Sequence, residues 1–337
     1  MPSNPTLNTR KLGTIVYSSG TQQSLELDKN GVLLRLFLRL QFTITNGATA
    51  PANPLFMALA RILRRVEIMA GGRDIVQSVP GYFLALRAAY ENLSIPALGM
   101  GATVVTTANA VTQYDISIPV QFTLPLGKRA DDTALDTTGL TQLSCIITWG
   151  TSDCADIFAT PNGAILSNMT CSVEGQYIAN PLRNSQGAAV SGTTGKPFMV
   201  RAFDYQEISV AASNTAQVEI LDSRSGLVLT SFLVAALADY QGNDAIINSF
   251  ALDAASFNFF NRDAQEIRAA NVQDLHLING TTPGVLYLDP RFKGSLTNAI
   301  NTANLNGDLK ATLDLTKQGV NDCRLCIQRE AIRPLLL

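Results

Sequence analysis

The stretch Leu140–Cys154, LTQLSCIITWGTSDC, is echoed by Leu309–Cys323, LKATLDLTKQGVNDC. Leu, Gly, Asp and Cys stand at matching positions, at an offset of 169 residues (154 to 323), about half of the 337-residue chain. A weaker echo pairs GGRDIVQ at Gly71–Gln77 with FNRDAQE at Phe260–Glu266, at an offset of 189 (73 to 262). Because both echoes keep their order, they predict a chain built twice from one kind of β unit.

The composition indicates a protein whose surface is largely covered by other molecules. Hydrophobic residues make up 46% of the chain and charged residues only 15%, well below the usual quarter, and copies of the same chain are the simplest cover. The net charge of −2 and the pI of about 5.5 argue against a role in coating nucleic acid. With no signal peptide at the N-terminus, and with its most apolar run, Gly226–Ala238, too short to cross a bilayer, the chain is expected to be soluble and made in the cytoplasm.

Strand patterns dominate the chain. Val32–Ile44 has the period-2 alternation of a half-buried strand. Ile62–Met69 and Asp74–Val79 flank Gly71 and Gly72, which is typical of a hairpin whose turn needs positive φ. Further strands are predicted at Tyr114–Leu124, Leu140–Trp149, Asn168–Ile178, Val200–Val210, Gln217–Leu221, Leu227–Leu237, Ile246–Phe260, Leu275–Ile278, Val285–Leu288, Leu309–Leu315 and Cys323–Gln328.

Helical patterns are scarce, so the fold class is predicted to be all-β with one or two short helices. Tyr82–Asn92 is rich in Ala and Leu and follows Pro80-Gly81, which indicates a helix, and Asp263–Asn271 is a weaker candidate. The polar, glycine-rich segment 181–196 is the best linker. It separates a first β-sandwich at 24–180 from a second at 197–337. The second half supplies about the eight strands that one sandwich needs, and the first half supplies most of another set. The spacing of the echoes places an insertion of about 20 residues in the first half, at Ser94–Val111.

Two β-rich halves, few charges, and a strand, Gly-Gly-Arg-Asp turn, strand and short helix at Val66–Asn92 together resemble the double jelly-roll major capsid proteins of tailless icosahedral bacteriophages, the tectivirus and corticovirus kind. The resemblance is one of layout over nearly the whole chain and rests on no diagnostic short motif. It implies a double jelly roll, that is, two eight-stranded jelly-roll sandwiches in one chain.

The resemblance also implies a function and a set of partners. Three chains would form a homotrimer of pseudo-hexagonal outline, and such trimers would tile an icosahedral virion shell, usually over an internal membrane. The partners would be neighbouring capsomers, minor capsid, vertex or membrane proteins, and lipid headgroups, with no sequence-specific nucleic acid. Residues 1–23 would be an N-terminal arm facing inward. Arg10 and Lys11, the only charges before Glu26, are candidates for contact with headgroups or genome phosphates, although a solvated arm suits two charges better.

No residue pattern predicts catalysis, a cofactor or a metal. His276 is the only histidine, too few for a cupin-type metal site, and no nucleophile elbow is present. Asp131, Asp132 and Asp136 could bind a cation through oxygen ligands, but a solvated turn explains them better. The five cysteines, which include a Cys323–Cys326 pair, are predicted to be free and buried, and Trp149 to be a core residue.

The protein is therefore predicted to be structural rather than an enzyme. Two other classes stay open. A viral spike or lectin-like β-sandwich binding module would show a ligand patch on loops at one end. A β-sandwich glycosidase would need two facing carboxylates in a cleft.

Overall fold

The computed structural model describes residues 5–91, 103–124, 133–192, 194–223, 225–255, 257–275, 277, 282–290 and 299–335. Within these ranges the chain forms two compact units, the first of residues 5–124, 133–202 and 334–335 and the second of residues 203–333. No helix in the described part is long and apolar enough to span a bilayer.

In its described residues the first unit contains eleven strands and one α-helix. Its strands are β1 Thr6–Val16, β2 Gln22–Glu26, β3 Val32–Thr45, β4 Ala52–Pro54, β5 Leu63–Ala70, β6 Asp74–Val79, β7 Val111–Gln121, β8 Leu135–Asp136, β9 Leu143–Trp149, β10 Phe158–Thr160 and β11 Ile165–Ala179. The helix α1 spans Gly81–Glu91, and a 3₁₀ turn spans Ala58–Ile62.

The remaining strands begin at residue 200 and form the second set. They are β12 Val200–Ser209, β13 Asn214–Asp222, β14 Val228–Ala238, β15 Gln241–Gly242, β16 Ile247–Ala254, β17 Phe257–Asp263, β18 Val285–Leu288, β19 Ile300–Asn301, β20 Leu309–Leu315 and β21 Cys323–Arg333. The helix α2 spans Ala264–Asp274, and a 3₁₀ turn spans Thr302–Asn304.

Two sheets enclose the core of the first unit. One has the strand order β1-β11-β3-β7, with β8 paired to β3, and in the other β2, β9, β5 and β6 are neighbours in that order. Along β3 the side chains of Leu38, Leu40 and Phe42 are buried, while Arg39 and Gln41 between them are exposed. This alternation gives each sheet one apolar face, and the two apolar faces bury each other.

The second unit repeats this arrangement. One of its sheets contains β12, β21 and β14 in that order, with β18 paired to β14, and the other has the order β13-β20-β16-β17. The core lies between them and includes Phe232, Phe250, Leu313 and Leu325, all fully buried. Every residue of β14 from Leu229 onward is buried, as its uncharged and largely apolar sequence predicts.

The two units therefore have the same sheet orders and the same sequence of elements. The strands β1, β2, β3, β5, β6, β7, β9 and β11 correspond in turn to β12, β13, β14, β16, β17, β18, β20 and β21, and in both units the helix follows the same hairpin. Eight equivalent antiparallel strands in two sheets make each unit a jelly roll. The predicted all-β class and double jelly roll are confirmed.

The sequence echoes identify equivalent strands but not equivalent residues. Leu143 pairs with Ala70 at the end of β5, and Leu309 pairs with Ala254 at the end of β16. The structural offset between β9 and β20 is thus 166 (143 to 309) rather than 169. The second echo also joins equivalent strands at different positions, because Asp74 begins β6 whereas Asp263 ends β17.

Most predicted elements are present at or near their predicted bounds. The hairpin of β5 and β6 turns at Gly71 and Gly72, which have φ of 60° and 72°, and both predicted helices form. Two strand predictions are wrong. The run Ile246–Phe260 is a hairpin that turns at Ala255, where φ is 50°. Leu275–Ile278 is not a strand, since Leu275 terminates α2 and Leu277 lies outside any element. His276 and Ile278 are outside the described residues.

Part of the predicted N-terminal arm, residues 1–23, is paired in a sheet. Residues 6–16 form β1, which pairs with β11 from Thr6↔Ala179 to Val16↔Thr170. The backbone hydrogen bonds of an eleven-residue ladder hold this segment in the first unit's sheet. The predicted linker, residues 181–196, is also part of the first unit, where Arg183 pairs with Ala189 and Val190 with Pro197.

Candidate functional site

The two basic residues singled out from the sequence occupy different environments on β1. Arg10 forms an ion pair with Asp28 at 3.1 Å, and its guanidinium carbon lies 4.8 Å from the centre of the Tyr177 ring. Burial raises the pKa of Tyr177 to about 12, against the opposing charge of Arg10. Lys11 is exposed and lies opposite Glu174 in the strand register. Since Arg10 is already paired, Lys11 is the one of the two with a charge available to a partner.

Exposed apolar side chains are concentrated on terminal strands of the sheets. The strands β1 and β7 end one sheet of the first unit, and β13 and β17 end one sheet of the second. Six large apolar residues on these four strands are between 50% and 72% exposed: Leu7, Val16, Val111, Val218, Ile220 and Phe257. Terminal strands also carry unpaired backbone N–H and C=O groups, so apolar edges of this kind call for a covering partner.

Two acidic groups of the second unit are exposed where β17 meets α2. Asp263 ends β17 and Glu266 lies in the first turn of α2, and both are exposed. Phe257 at the start of β17 is 65% exposed, and its ring centre lies 5.1 Å from that of Phe259. Sequence reasoning did not single out this combination, because only the packing of β17 leaves these residues exposed.

The outer face of β3 and β7 carries a pattern of paired polar groups. Arg39 forms a salt bridge to Asp115, which also accepts a hydrogen bond from Gln41 at 3.0 Å. The hydrogen bonds from Arg39 hold the pKa of Asp115 below its usual value. These charged groups are paired with each other within the sheet, so this face presents a polar surface to a partner but no unpaired charge among the three residues.

A buried ionic cluster lies in the first unit and was missed by sequence reasoning. Oε1 of Glu91 accepts hydrogen bonds from Arg87 at 2.7 Å and from Arg201. Arg201 also donates to the backbone oxygen of Thr123 at 3.2 Å. The spacing of Arg87 and Glu91, four residues apart in α1, was visible in the sequence. Nothing in the sequence indicated that Arg201 would join them.

The carboxylates considered as cation ligands are only partly described. Asp131 and Asp132 lie outside the described residues. Asp136 accepts hydrogen bonds from the backbone and hydroxyl of Thr138 at 3.1 and 2.7 Å and from the backbone of Ala189 at 3.2 Å. Its carboxylate therefore stabilises a turn. Across the described ranges no cluster of three or more His, Cys, Asp or Glu side chains has the geometry to hold a metal ion.

The other singled-out residues are mostly in the core. Trp149 is fully buried, and its ring meets that of Tyr17 edge-on at 5.5 Å. All five cysteines are free and buried, as predicted. Burial raises the pKa of Cys145 and of Cys154 to about 12, so both thiols are neutral and unreactive near neutral pH.

The predicted insertion, Ser94–Val111, is described only from residue 103. There Asn46 donates hydrogen bonds to the backbone oxygens of Val105 and Thr107 at 2.9 and 2.8 Å. The insertion ends where Val111 begins β7, and Val111 is one of the exposed apolar residues.

One cavity of about 530 Å³ lies in the second unit. Its lining includes Phe257, Phe259 and Leu305 together with Asn301, Asn304 and Asn306, and carries no charged side chain. The cavity lies at the end of the unit where the β16–β17 hairpin turns. Its chemistry suits a neutral ligand with an apolar face.

Comparison with solved structures gives the same fold along nearly the whole chain. The major capsid protein of STIV, Sulfolobus turreted icosahedral virus, superposes with a TM-score of 0.75 at 15% identity, covering 98% of this chain and 97% of that chain. The major capsid protein P2 of bacteriophage PM2 gives 0.58 at 14% identity, covering 97% of each chain. The Faustovirus major capsid protein gives 0.60 at 9% identity, covering 100% of this chain and 92% of that chain.

No family model and no curated protein sequence matches the chain. The likeness is one of structure at low identity, and it establishes that the chain has the double jelly-roll fold of these capsid proteins.

Proposed function

We propose that this protein is the major capsid protein of an icosahedral virus, a structural subunit rather than an enzyme. The observation that carries the proposal is that one chain contains two jelly rolls with the same strand order. This layout aligns over 98% of the chain with the STIV major capsid protein. A fold alone does not fix a function, so the proposal also draws on the exposed edges and the composition.

The unit of assembly is proposed to be a homotrimer of pseudo-hexagonal outline. Three chains with two similar units each supply six similar building blocks, and closed rings are the usual symmetry of homo-oligomers. The six exposed apolar residues on terminal strands, Leu7, Val16, Val111, Val218, Ile220 and Phe257, would be covered in such an assembly. The low proportion of charged residues, 15%, suits a protein with much of its surface in contact with other copies.

The proposal extends to the site of synthesis, the location and the partners that the family resemblance implies. The protein would be made in the cytoplasm of a bacterial host and would reside in the virion shell. It would meet minor capsid, vertex or membrane proteins and an internal membrane there. Contact of Arg10 and Lys11 with lipid headgroups or genome phosphates stays a prediction. Because Arg10 is paired with Asp28, this prediction rests mainly on Lys11.

The test is the mass of the purified full-length protein in solution. Size-exclusion chromatography with light scattering should give three times the chain mass of 36.1 kDa, and images of the particle by electron microscopy should show a six-sided outline. Val218→Asp on the terminal strand β13 should weaken the trimer. Its matched variant is Thr312→Asp, which places the same charge on the neighbouring interior strand β20, where Thr312 pairs with Val218. A monomer at micromolar concentration would contradict the proposal.

A binding module is the second candidate, and the cavity beside Phe257 and Phe259 is the observation that favours it. Exposed aromatic rings and asparagine amides are the groups that stack on sugars and bind their hydroxyls. A glycan array probed with the full-length protein would support this function if binding were lost in Phe257→Ala. A wild-type protein that binds no glycan would leave the capsid role as the better account.

A further inference from the structure

The two halves of the chain carry opposite net charges. Residues 1–202 contain 15 Lys and Arg against 12 Asp and Glu, a net charge of +3, whereas residues 203–337 contain 10 against 15, a net charge of −5. The whole-chain value of −2 hides this difference. Opposite charges on two parts of one chain favour contacts between unlike parts of different copies and disfavour contacts between like parts.

The exposed edge of the second unit combines acidic and apolar groups. The strand β17 ends its sheet, so its outward backbone groups have no strand partner in the described part. Asp263 and Glu266 are exposed and form no ion pair among the described residues, and Phe257 at the start of β17 is 65% exposed. Arg262, next to Asp263, is exposed as well, so one positive charge offsets one of the two acids and the edge keeps a net charge of −1. We define Phe257, Asp263 and Glu266 as the acidic edge.

The exposed edge of the first unit has the complementary groups. The strand β1 also ends its sheet and carries the exposed apolar residues Leu7 and Val16. Lys11 stands between them, on the same outward face as Leu7, and forms no salt bridge within the described ranges, although it lies opposite Glu174 of β11 in the strand register. We define Leu7, Lys11 and Val16 as the basic edge.

We propose that the acidic edge of one copy docks against the basic edge of the next, so that β17 and β1 form the head-to-tail contact of the assembly. The occupant of each edge is a second copy of this chain. The inference rests on the proposed function and specifies the interface that the proposed trimer uses. Three features support it: complementary charge, apolar side chains on both edges, and two terminal strands whose free backbone groups can pair.

A contact between two different edges is heterologous, and a heterologous contact repeats until the ring closes. Every junction in the closed ring then joins a positive unit to a negative one. Because charge attraction at a partly exposed junction is screened by salt, assembly should weaken as the ionic strength rises, whereas a purely apolar junction would not weaken.

The experiment reverses the charges on the full-length protein and measures the dissociation constant of the assembly by sedimentation velocity. Lys11→Glu, and separately Asp263→Lys with Glu266→Lys, should each raise the dissociation constant at least about tenfold, because like charges then face each other. Combining all three substitutions in one chain should restore most of the lost affinity. The wild-type assembly should dissociate more readily as salt is raised from about 0.05 M to about 0.5 M.

Matched controls change the same charge elsewhere on the same unit. Arg73→Glu alters an exposed cation in the turn between β5 and β6, and Asp274→Lys alters an exposed acid at the far end of α2. Both should leave the dissociation constant within about twofold of wild type. Thermal unfolding of each variant confirms that it folds, and Lys11→Gln replaces Lys11→Glu if the latter does not.

The results of these experiments can contradict the proposed edge contact without contradicting the proposed capsid function. A stable wild-type trimer that salt and the edge variants leave unchanged overturns the edge contact and keeps the capsid role. A wild-type monomer overturns both. If Lys11→Glu assembles normally but loses the binding of wild-type protein to vesicles containing anionic lipid, Lys11 serves a lipid surface and the inference is overturned.

Discussion

Glu91, the last residue of α1, accepts hydrogen bonds on one carboxylate oxygen from Arg201, which lies 110 positions further along the chain. Arg87 donates to the same oxygen at 2.7 Å. All three side chains are at least 97% buried. Two guanidinium groups are therefore held in the interior of the first unit by a carboxylate that they share, and this contact fixes the end of α1.

Removing that carboxylate should destabilise the first unit strongly. Glu91→Ala leaves two buried cations without the carboxylate of Glu91 and should lower the free energy of unfolding by about 3–5 kcal/mol, measured by urea denaturation. Glu26→Ala breaks an exposed pair with Lys29 and should cost less than about 1 kcal/mol. Equal midpoints for the two variants would show that the cluster contributes little.

The start of α1 depends on the absence of a side chain at Gly81. A Cβ there would lie 2.5 Å from Cβ of Leu63 and 2.7 Å from the backbone oxygen of Ala60. Gly81→Ala should therefore lower the unfolding free energy by about 1–3 kcal/mol. Gly139→Ala is the control, since no atom lies within 4 Å of a Cβ at that position, and it should be neutral or slightly stabilising. A neutral Gly81→Ala would mean that α1 can shift away from the β5 segment.

The buried thiols should react slowly and should make stability fall in alkali. Burial raises the pKa of Cys145 to about 12 from its ordinary 9.0, so the unfolded thiol ionises first as the pH rises. The stability from this group is fully present below pH 9 and is lost between pH 9 and about pH 12. A thiol reagent at pH 8 should label the native protein far more slowly than the denatured one, in which all five cysteines react. Rapid labelling of the native chain would contradict the buried placement.

Asp239 should stabilise the loop before β21 through its ionised carboxylate. It accepts backbone hydrogen bonds from Val320, Asn321 and Asp322 at 2.8–3.2 Å, and these hold its pKa below the usual 3.8. This contribution is present above pH 3.8 and is lost as the pH falls through the lowered value. Asp239→Ala should speed amide hydrogen exchange at 320–322, and Asp239→Asn should do so less. Unchanged exchange in Asp239→Ala would rule out the capping role.

The only tryptophan, Trp149, should report on the first unit alone. It is fully buried against Tyr17, so native emission should be blue-shifted and should move to longer wavelength when that unit unfolds. Circular dichroism follows both units. If the units unfold separately, the two transitions should not coincide, and Glu91→Ala should shift the fluorescence transition more than the second phase seen by circular dichroism. Coincident curves in wild type and variant would indicate one cooperative unit.

Local patterns were enough to predict most of the strands and both helices. The alternation in Val32–Ile44 and the glycine pair Gly71-Gly72 specify a strand and a tight turn through side-chain period and backbone freedom, which are properties of neighbouring residues. The strand prediction failed where mostly polar residues pair in a sheet. Residues 6–16 have little apolar alternation, yet they form an eleven-residue strand because β11 offers a full set of hydrogen-bond partners.

The sequence by itself determined that this chain is a β protein made of two similar halves, with buried thiols and few charges. Periodicity and composition are properties of the sequence alone, so they can be assessed without knowledge of the tertiary contacts. Only the tertiary structure decided which strands end their sheets, that Arg201 joins Glu91, and that Asp263 and Glu266 share an edge with Phe257. Each of these depends on pairing between residues far apart in the chain, and no local pattern encodes strand order.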